Sequence, residues 1–289
     1  MPELPEVEVS RLGIDPHVSG RTIQQFIIRN ARLRWPVDLG LPERLSQAVV
    51  THTARRGKYL ILYCVCADKT QGALLIHLGM SGSLRIVEKG AVPQKHDHLD
   101  WVFDAHVLRY HDPRRFGSLH WHDLADGDVL THPRLQALGI EPFDEHFDGA
   151  YLHRHSRTRT QAIKVTLLSG DIVVGVGNIY ASEVLFRCKI HPETPAQSLT
   201  RKQCDLMAAQ IKIVLHAAIE KGGSTLKDFV NSDGASGYFQ MHYNVYDRAG
   251  EPCTVCGRAI QRIVQAQRAT YFCAVCQKRS QPKLKKITA

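Results

Sequence analysis

Cys253-Thr-Val-Cys256, then Gly257 to Phe272, then Cys273-Ala-Val-Cys276: this stretch decides how the C-terminal end of the chain is built. A C-x2-C step lets two thiolates from one tight turn reach a single ion, and a second such pair closes a tetrahedral shell of four. Four thiolates leave no open position, which suits a structural ion. Zinc is the expected metal, although ligand type alone also admits iron. Disulfides or chance spacing are the alternatives, and disulfides fit an intracellular chain poorly. Within the stretch, Ala259-Ile-Gln-Arg-Ile-Val-Gln-Ala-Gln-Arg268 alternates β-branched and polar residues. That reads as a β-hairpin finger, not the strand-plus-helix finger that uses histidines. Arg268 falls near the second strand, where it can reach a phosphate. The other cysteines, Cys64, Cys66, Cys188 and Cys204, lie in apolar or helical patterns and read as buried small hydrophobes.

Outward from the finger, charge is the next signal. The chain of 289 residues carries a net charge of +9. Arg258, Arg262, Arg268, Lys278, Arg279, Lys283, Lys285 and Lys286 all follow Cys253, with no acidic residue among them. Nearly the whole excess therefore sits at the C-terminus, which points to a polyanion partner, with a tail that merely aids solubility as the alternative. Hydrophobic residues at 44% and charged residues at 22% are ordinary for a globular protein and exclude wholesale disorder, collagen and a coiled-coil rod. No apolar run approaches the ~20 residues of a membrane span. The start, MPELPEVEVS, has acids where a secretion signal carries bases, so the expected location is the cytoplasm.

The length predicts more than one domain. Pro2 to about Asp15 reads as a helix, with Pro5 in its first turn and acids near its start, and with Gly13 and Pro16 marking its end. From Gly20 to His122 the pattern is strand-like, in segments such as RTIQQFIIRN, YLILYCVCA, ALLIHLGM, GSLRIVEKG, HLDWVFDA and HVLRYHD. Six or more short strands joined by turns predict a β-sandwich. Helices are predicted near Asp144–Arg154, Gln161–Leu168, Asn178–Phe186 and Thr200–Gly222, and SDGASGY (232–238) reads as a loop. The expected division is 1–122, a sandwich with its N-terminal helix; 123–142, a linker; 143–250, a helical domain; 251–276, the finger; and 277–289, a basic tail. Gly175 and Gly177 with Asn178 form a tight turn into a helix, where backbone amides either cap the helix or hold a phosphate.

The N-terminus offers chemistry. Removal of Met1 leaves Pro2 with a free secondary amine, and a terminal amine titrates near pH ~8, far below a lysine. Such an amine attacks carbonyl or acetal carbons to give a Schiff base. Glu3 beside it is placed to move protons. Lys58 in Arg55-Arg-Gly-Lys58 assists or holds phosphate.

These residues resemble one family closely, the bacterial formamidopyrimidine-DNA glycosylases. The matching segments are MPELPEVE at the start, RRGKYL around Lys58, HLGMSGSLRI (77–86), KHDHLD (95–100) and RYHDPRRFG (109–117). They continue with VVGVGNIYASEVLF (173–186), KIHPETPA (189–196), SDGASGYFQ (232–240) and the four-cysteine finger. The resemblance implies an α+β multidomain fold: an N-terminal β-sandwich flanked by helices, and a helix-two-turn-helix domain with a zinc β-hairpin finger. It implies a bifunctional base-excision repair enzyme, glycosylase and AP lyase, acting on oxidised purines such as 8-oxoguanine and formamidopyrimidines or on abasic sites in double-stranded DNA. Pro2 is then the nucleophile at C1′, Glu3 the acid/base, Lys58 the proton donor in β-elimination and Arg268 a participant in δ-elimination. Met80, Arg114 and Phe116 fill the hole left by the flipped nucleotide, with Phe116 as wedge and Arg114 reading the orphaned cytosine. Lys164, Asn178 and Arg268 grip phosphates, His77 and His96 touch DNA, and Arg159 aligns with a basic DNA contact. The loop 232–238 caps the everted base. Cys253, Cys256, Cys273 and Cys276 hold one structural zinc, and no catalytic metal or organic cofactor is expected. The resemblance further implies a monomer, located at the nucleoid when bound to DNA.

Physical chemistry agrees with those roles. Extruding a nucleotide costs a few kcal/mol of unstacking, which an inserted apolar side chain offsets. Glu6 is expected to brace the first helix and Pro2 through hydrogen bonds. Two departures stand out: Ser81 follows Met80 where some relatives have Glu, so no lesion reading is expected from that side chain, and the basic tail after Cys276 is longer than in many relatives. Two rivals remain at this point: an endonuclease VIII-type enzyme for oxidised pyrimidines and a non-catalytic zinc-ribbon DNA-binding protein. Leu4, the Arg114-Arg115 pair before Phe116 and the 232–240 loop favour the purine enzyme.

Overall fold

The computed structural model of the chain describes residues 2–222 and 243–279. Contacts divide them into two units, one of residues 2–137 and 218–222, the other of residues 138–217 and 243–279. The 232–238 loop and the tail beyond Arg279 lie outside the described residues.

The first unit opens with α1 (Leu4–Val18), whose Leu4, Val7, Ile14 and Val18 are buried on one face. Gly13 and Pro16 do not end it. Pro16 lacks only the N–H that would reach the Leu12 carbonyl, and Leu12 is half exposed, so solvent reaches the freed group. The Ser19 N–H still closes the last turn on the Asp15 carbonyl at 3.0 Å.

Nine strands follow in two antiparallel sheets. One sheet has the order β1 (Arg21–Ile23), β3 (Ala48–Arg56), β4 (Tyr59–Val65), β5 (Gln71–His77) and β9 (Ser118–Asp123). The other has β2 (Gln25–Ile28), β7 (Asp97–Val102), β8 (His106–His111) and β6 (Ser83–Glu88). The segment RTIQQFIIRN is two strands rather than one: it changes sheets at Gln24, whose N–H already bonds to Val102. Ile23, Val50, Leu60, Leu62, Leu74 and Ile76 of the first sheet meet Phe26, Leu84, Leu99, Trp101 and Leu108 of the second in one core, to which Val7 and Ile14 of α1 also belong. Alternate strand positions, such as Leu60 and Leu62, Leu74 and Ile76, or Leu99 and Trp101, face this shared core. A short helix, α2 (Leu41–Leu45), contributes both its ends to this core.

Residues 124–126 and 129–131, in the expected linker, form single 3-10 turns capped by the carboxylates of Asp123 and Asp128. The second unit contains α3 (Gly149–Ser156), α4 (Ile163–Ser169), α5 (Asn178–Arg187) and all but the last residues of α6 (Arg201–Glu220). The first of these begins later than the apolar pattern suggests because Asp148 caps it, accepting the Tyr151 N–H at 2.7 Å. Helix α4 ends at Gly170, in the left-handed conformation. The finger hairpin pairs β10 (Gln261–Gln265) with β11 (Arg268–Phe272) across Ala266 and Gln267, both at positive φ. No helix among the described residues is long and apolar enough to cross a membrane.

Candidate active site and nucleic-acid interface

Chain ends normally fray, but this one does not. Pro2 is buried and Glu3 is 1% exposed. Glu3 is the N-cap of α1 and Glu6 stands three residues on, giving a reciprocal box. The Glu6 carboxylate accepts the Glu3 N–H at 2.8 Å, and the Glu3 carboxylate accepts the Glu6 N–H. Glu6 is itself fully buried, so the brace expected of it is present. The Pro2–Glu3 peptide is thus held at a fixed angle to the helix that packs on the sandwich.

Lys58 occupies a two-residue hairpin turn between β3 and β4, closed by the Arg56–Tyr59 pair. Gly57 precedes it with φ +57°, a conformation that favours glycine. Arg55 holds the turn by donating to the Gly57 carbonyl (3.0 Å) and to Glu8 of α1 (2.9 Å). Tyr59 pairs directly with His77 of β5, their rings 4.9 Å apart. Burial, and after it the charges of Lys58, Arg34 and His120, push the His77 pKa down to about 4. The ring is therefore neutral near pH 7. Its Nδ1 accepts the Gly79 N–H at 3.0 Å, which leaves the proton on Nε2. His77 thus offers a neutral N–H donor beside a lysine.

Met80 stands in the turn after β5, and Arg114 and Phe116 in the loop between β8 and β9. Phe116 is 43% exposed, a high value for a large apolar ring, and the Arg114 guanidinium lies over it at 4.9 Å. The two loops interlock. A Cβ on Gly79 would meet the Phe116 carbonyl carbon at 2.3 Å, and one on Gly117 would meet the Tyr110 hydroxyl at 1.7 Å. His96 joins the same group through its carbonyl, which accepts the Asp112 N–H at 3.0 Å. Its ring stands edge-on to His98 and His111.

The second unit carries the remaining candidates. Asn178 opens α5 behind Gly177. Lys164, on α4, is fully buried, and its ammonium donates to Asn178 Oδ1 (2.6 Å), the Ala269 carbonyl (3.1 Å) and Thr270 Oγ1 (2.7 Å). Asn178 Nδ2 also reaches the Ala269 carbonyl, at 3.0 Å. Lys164 and Asn178 thus grip the start of β11, where Arg268 is the exposed first residue. Three protein acceptors use the three N–H groups of an ammonium. Arg159 is ion-paired with Asp171 at 2.6 Å and half exposed.

The Sγ atoms of Cys253, Cys256, Cys273 and Cys276 all lie within 4.8 Å of one another. Cys256 and Cys273 are 3.5 Å apart and Cys253 and Cys276 3.9 Å, near the ~3.8 Å that tetrahedral zinc with ~2.3 Å bonds requires. None of the eight cysteines is in a disulfide. The residues therefore fit one closed zinc site. Burial pushes the thiols of Cys64 and Cys188 up to about 12, consistent with inert packing groups.

Two buried carboxylates escaped sequence reasoning. Asp112, fully buried, joins the Met80 turn to the Arg114–Phe116 loop. Glu183 of α5, 1% exposed, accepts four N–H groups: the Asn244 backbone and side chain (2.9 and 2.8 Å), Val245 (2.9 Å) and Tyr246 (3.0 Å). An acid inside an apolar helix (Val184-Leu185-Phe186 follow Glu183) was the available signal.

Comparison with known proteins accounts for this arrangement. Residues 1–119 match the model of the formamidopyrimidine-DNA glycosylase N-terminal domain, and residues 138–230 match that of its H2TH domain. Residues 250–279 match the zinc finger found in FPG and IleRS. Formamidopyrimidine-DNA glycosylases of Burkholderia multivorans and Bordetella pertussis are 54% and 55% identical to the chain over 280 residues, covering 96% of it and 100% of each relative. A solved complex of Lactococcus lactis Fpg (MutM) with DNA containing N7-benzyl-Fapy-dG superimposes with a TM-score of 0.87 at 35% identity, covering 96% of this chain and 100% of that one. The Thermus thermophilus MutM crystal structure gives 0.83 at 37% identity, covering 97% and 100%.

Proposed function

Because the chain belongs to the formamidopyrimidine-DNA glycosylase family, we propose that its buried N-terminal Pro2 is the nucleophile of the reaction and Glu3 its proton carrier. The protein is a bifunctional DNA glycosylase and AP lyase for oxidised purines in duplex DNA. With Met1 removed, the Pro2 amine attacks C1′ of the damaged nucleotide. The glycosidic bond breaks, and the base leaves with its electron pair and takes up a proton. Glu3 protonates the sugar ring oxygen as the ring opens to the iminium ion. The iminium acidifies C2′. Loss of that proton expels the 3′ phosphate, and a second elimination expels the 5′ phosphate. Lys58 and Arg268 assist those two departures. None of these steps calls on a metal; Cys253, Cys256, Cys273 and Cys276 would hold one structural zinc, which would fix the hairpin that carries Arg268.

The observation that carries this reading is the seating of Pro2 and Glu3. An amine nucleophile gains from being fixed and partly desolvated, and the Glu3–Glu6 box supplies that restraint. Met80, Arg114 and Phe116 fill the gap in the stack; the exposure of Phe116 supports its role as wedge. His77 and His96 contact the backbone. Asn178 and Arg268 hold phosphates, with Lys164 acting through both by fixing Asn178 and the start of β11. Arg159, already paired with Asp171, contributes peripheral charge. We assign catalysis to 1–122, a linker to 123–142, DNA grip to 143–250 with the finger at 251–276, and added DNA affinity to 277–289. A chromosomal substrate places the enzyme in the cytoplasm, at the nucleoid.

Borohydride trapping tests the proposal. Wild-type protein incubated with duplex containing 8-oxoguanine opposite cytosine is expected to form a covalent adduct, and Pro2→Gly is expected to form none. Equal adduct in both proteins, or none with wild type, removes Pro2 from this role.

A further inference from the structure

We propose that Asp112 is a positioning residue that makes the Met80 turn and the Arg114–Phe116 loop a single rigid insert, so that the three side chains enter the duplex together. The proposal rests on the DNA-glycosylase reading above and adds to it a residue that touches no DNA.

The geometry is specific. One carboxylate oxygen of Asp112 accepts the Ser81 hydroxyl at 2.7 Å, from the residue next to Met80. The other accepts the Gly117 N–H at 2.9 Å, from the residue next to Phe116, and the Tyr110 hydroxyl at 3.2 Å. Ser81 Oγ in turn accepts the Arg114 N–H at 3.2 Å. The Asp112 carbonyl accepts the Arg115 N–H at 3.2 Å and faces His98 Nε2 at 2.8 Å. Asp112 is fully buried, and Ser81 is 3% exposed. These bonds come from the two loops and from the strand ends beside them, and they converge on Asp112 and on Ser81, which Asp112 holds. The Gly117 N–H, next to Phe116, bonds to the Asp112 carboxylate directly, and the Arg114 N–H is tied to it through Ser81.

A wedge works only if it does not yield when the bases push back. A loop free to bend leaves the gap unfilled and returns the unstacking cost to the extruded nucleotide. The role of Asp112 is therefore needed where a stack must be opened and not where there is none. This separates it from a residue that merely supports the fold. The lyase half of the reaction on an abasic site in single-stranded DNA needs Pro2 and Glu3 but no insert.

The test uses full-length Asp112→Asn and, as a milder change, Ser81→Ala. Asparagine keeps the volume but presents an amide N–H to one of the donor groups. Each variant is assayed for excision of 8-oxoguanine from duplex, opposite cytosine and opposite adenine, and for borohydride trapping on an abasic single strand. Duplex kcat/KM is expected to fall about tenfold or more for Asp112→Asn, since one buried donor left without an acceptor shifts an equilibrium by about that factor. Discrimination between cytosine and adenine is expected to narrow, and single-strand trapping to stay at the wild-type level. In a double-mutant cycle with Phe116→Ala, the two losses are expected not to add. Equal loss on single-stranded and duplex substrates, unchanged duplex activity in both variants, or full additivity with Phe116→Ala would overturn the proposal. If Asp112→Asn does not fold, Ser81→Ala decides alone by the same criteria. Failure of wild-type protein to trap on either DNA counts against the glycosylase reading itself, not against Asp112.

Discussion

Replacing Glu183 by Gln tests how the finger is attached within the second unit. Each Glu183 oxygen accepts two N–H groups, Oε2 from Asn244 twice and Oε1 from Val245 and Tyr246. An amide keeps one oxygen and turns the other into a donor facing two donors. Two bonds to a charged acceptor are lost, at ~1.5–3 kcal/mol each. Removing a buried charge returns part of this, because its desolvation cost disappears. The net destabilisation is about 2–4 kcal/mol, or ~1–2 M in a urea midpoint for a slope of roughly 2 kcal/mol/M. The loss should be local. All three tryptophans, Trp35, Trp101 and Trp121, lie in the first unit, whereas zinc reports on the finger. Urea titration is followed by tryptophan fluorescence and, in parallel, by zinc release to a coloured chelator. The zinc-release midpoint should drop by the stated amount while the fluorescence midpoint holds. An unchanged zinc-release midpoint would refute the claim that Glu183 anchors the segment, and an equal fall in both signals would refute its locality.

Salt dependence separates the two basic residues beside Asn178. Arg268→Ala should weaken duplex binding and lower the slope of log K against log salt by about 0.9, one phosphate contact; Lys164→Met should weaken binding at unchanged slope, because its ammonium is spent on protein acceptors. A slope change in the lysine variant would mean that it meets phosphate directly. In acid, the first unit should weaken as His77 and His120, both held down to about 4 by burial, take protons more readily in the unfolded chain. Their folded pKa values are depressed, so the stability is complete above the ordinary 6.5, falls as pH drops towards 4, and levels below it. For the partly exposed His77 the loss is roughly 1–2 kcal/mol between pH 6.5 and 5, and urea midpoints read by fluorescence should show a flatter profile in His77→Gln.

The fold was legible where its signals were local. Short apolar runs in β4 and β5, and the i, i+2 spacing of Leu99 and Trp101 in β7, marked the sandwich, and the paired C-x2-C steps marked the finger. Less legible was β3, whose alternation breaks at the bulge between Val50 and His52, and the change of sheet at Gln24 leaves no mark in composition. The end of α1 was misread because Pro16 is damaging only if the carbonyl it frees is buried. At the site, the paired C-x2-C steps announced the cluster of four cysteines. The burial of Lys164 did not show, because a lysine beside apolar neighbours reads the same whether its tip meets solvent or three acceptors 14 to 106 residues away. Asp112 and Glu183 were missed for a related reason. Their meaning lies in which loop donors they satisfy, and that depends on tertiary contacts.

Glu6, Asp112 and Glu183 share one physical solution to one problem. The Pro2–Glu3 peptide, the wedge loops and residues 244–246 are irregular, so their backbone N–H groups lack ladder partners. A buried carboxylate offers about four acceptor sites on a short stem and takes several such donors at once. Glu6 takes the Glu3 N–H, Asp112 takes donors from both loops of the wedge, and Glu183 takes four from the strap that leads into the finger. An asparagine or glutamine at any of these places supplies half the acceptors and adds donors where none are wanted. A serine or threonine offers a single oxygen. Negative charge in the interior of a protein with an excess of +9 is therefore no accident of composition. In the function proposed above the basic groups face the ligand, while the acids that hold their loops are buried, where they do not repel phosphate.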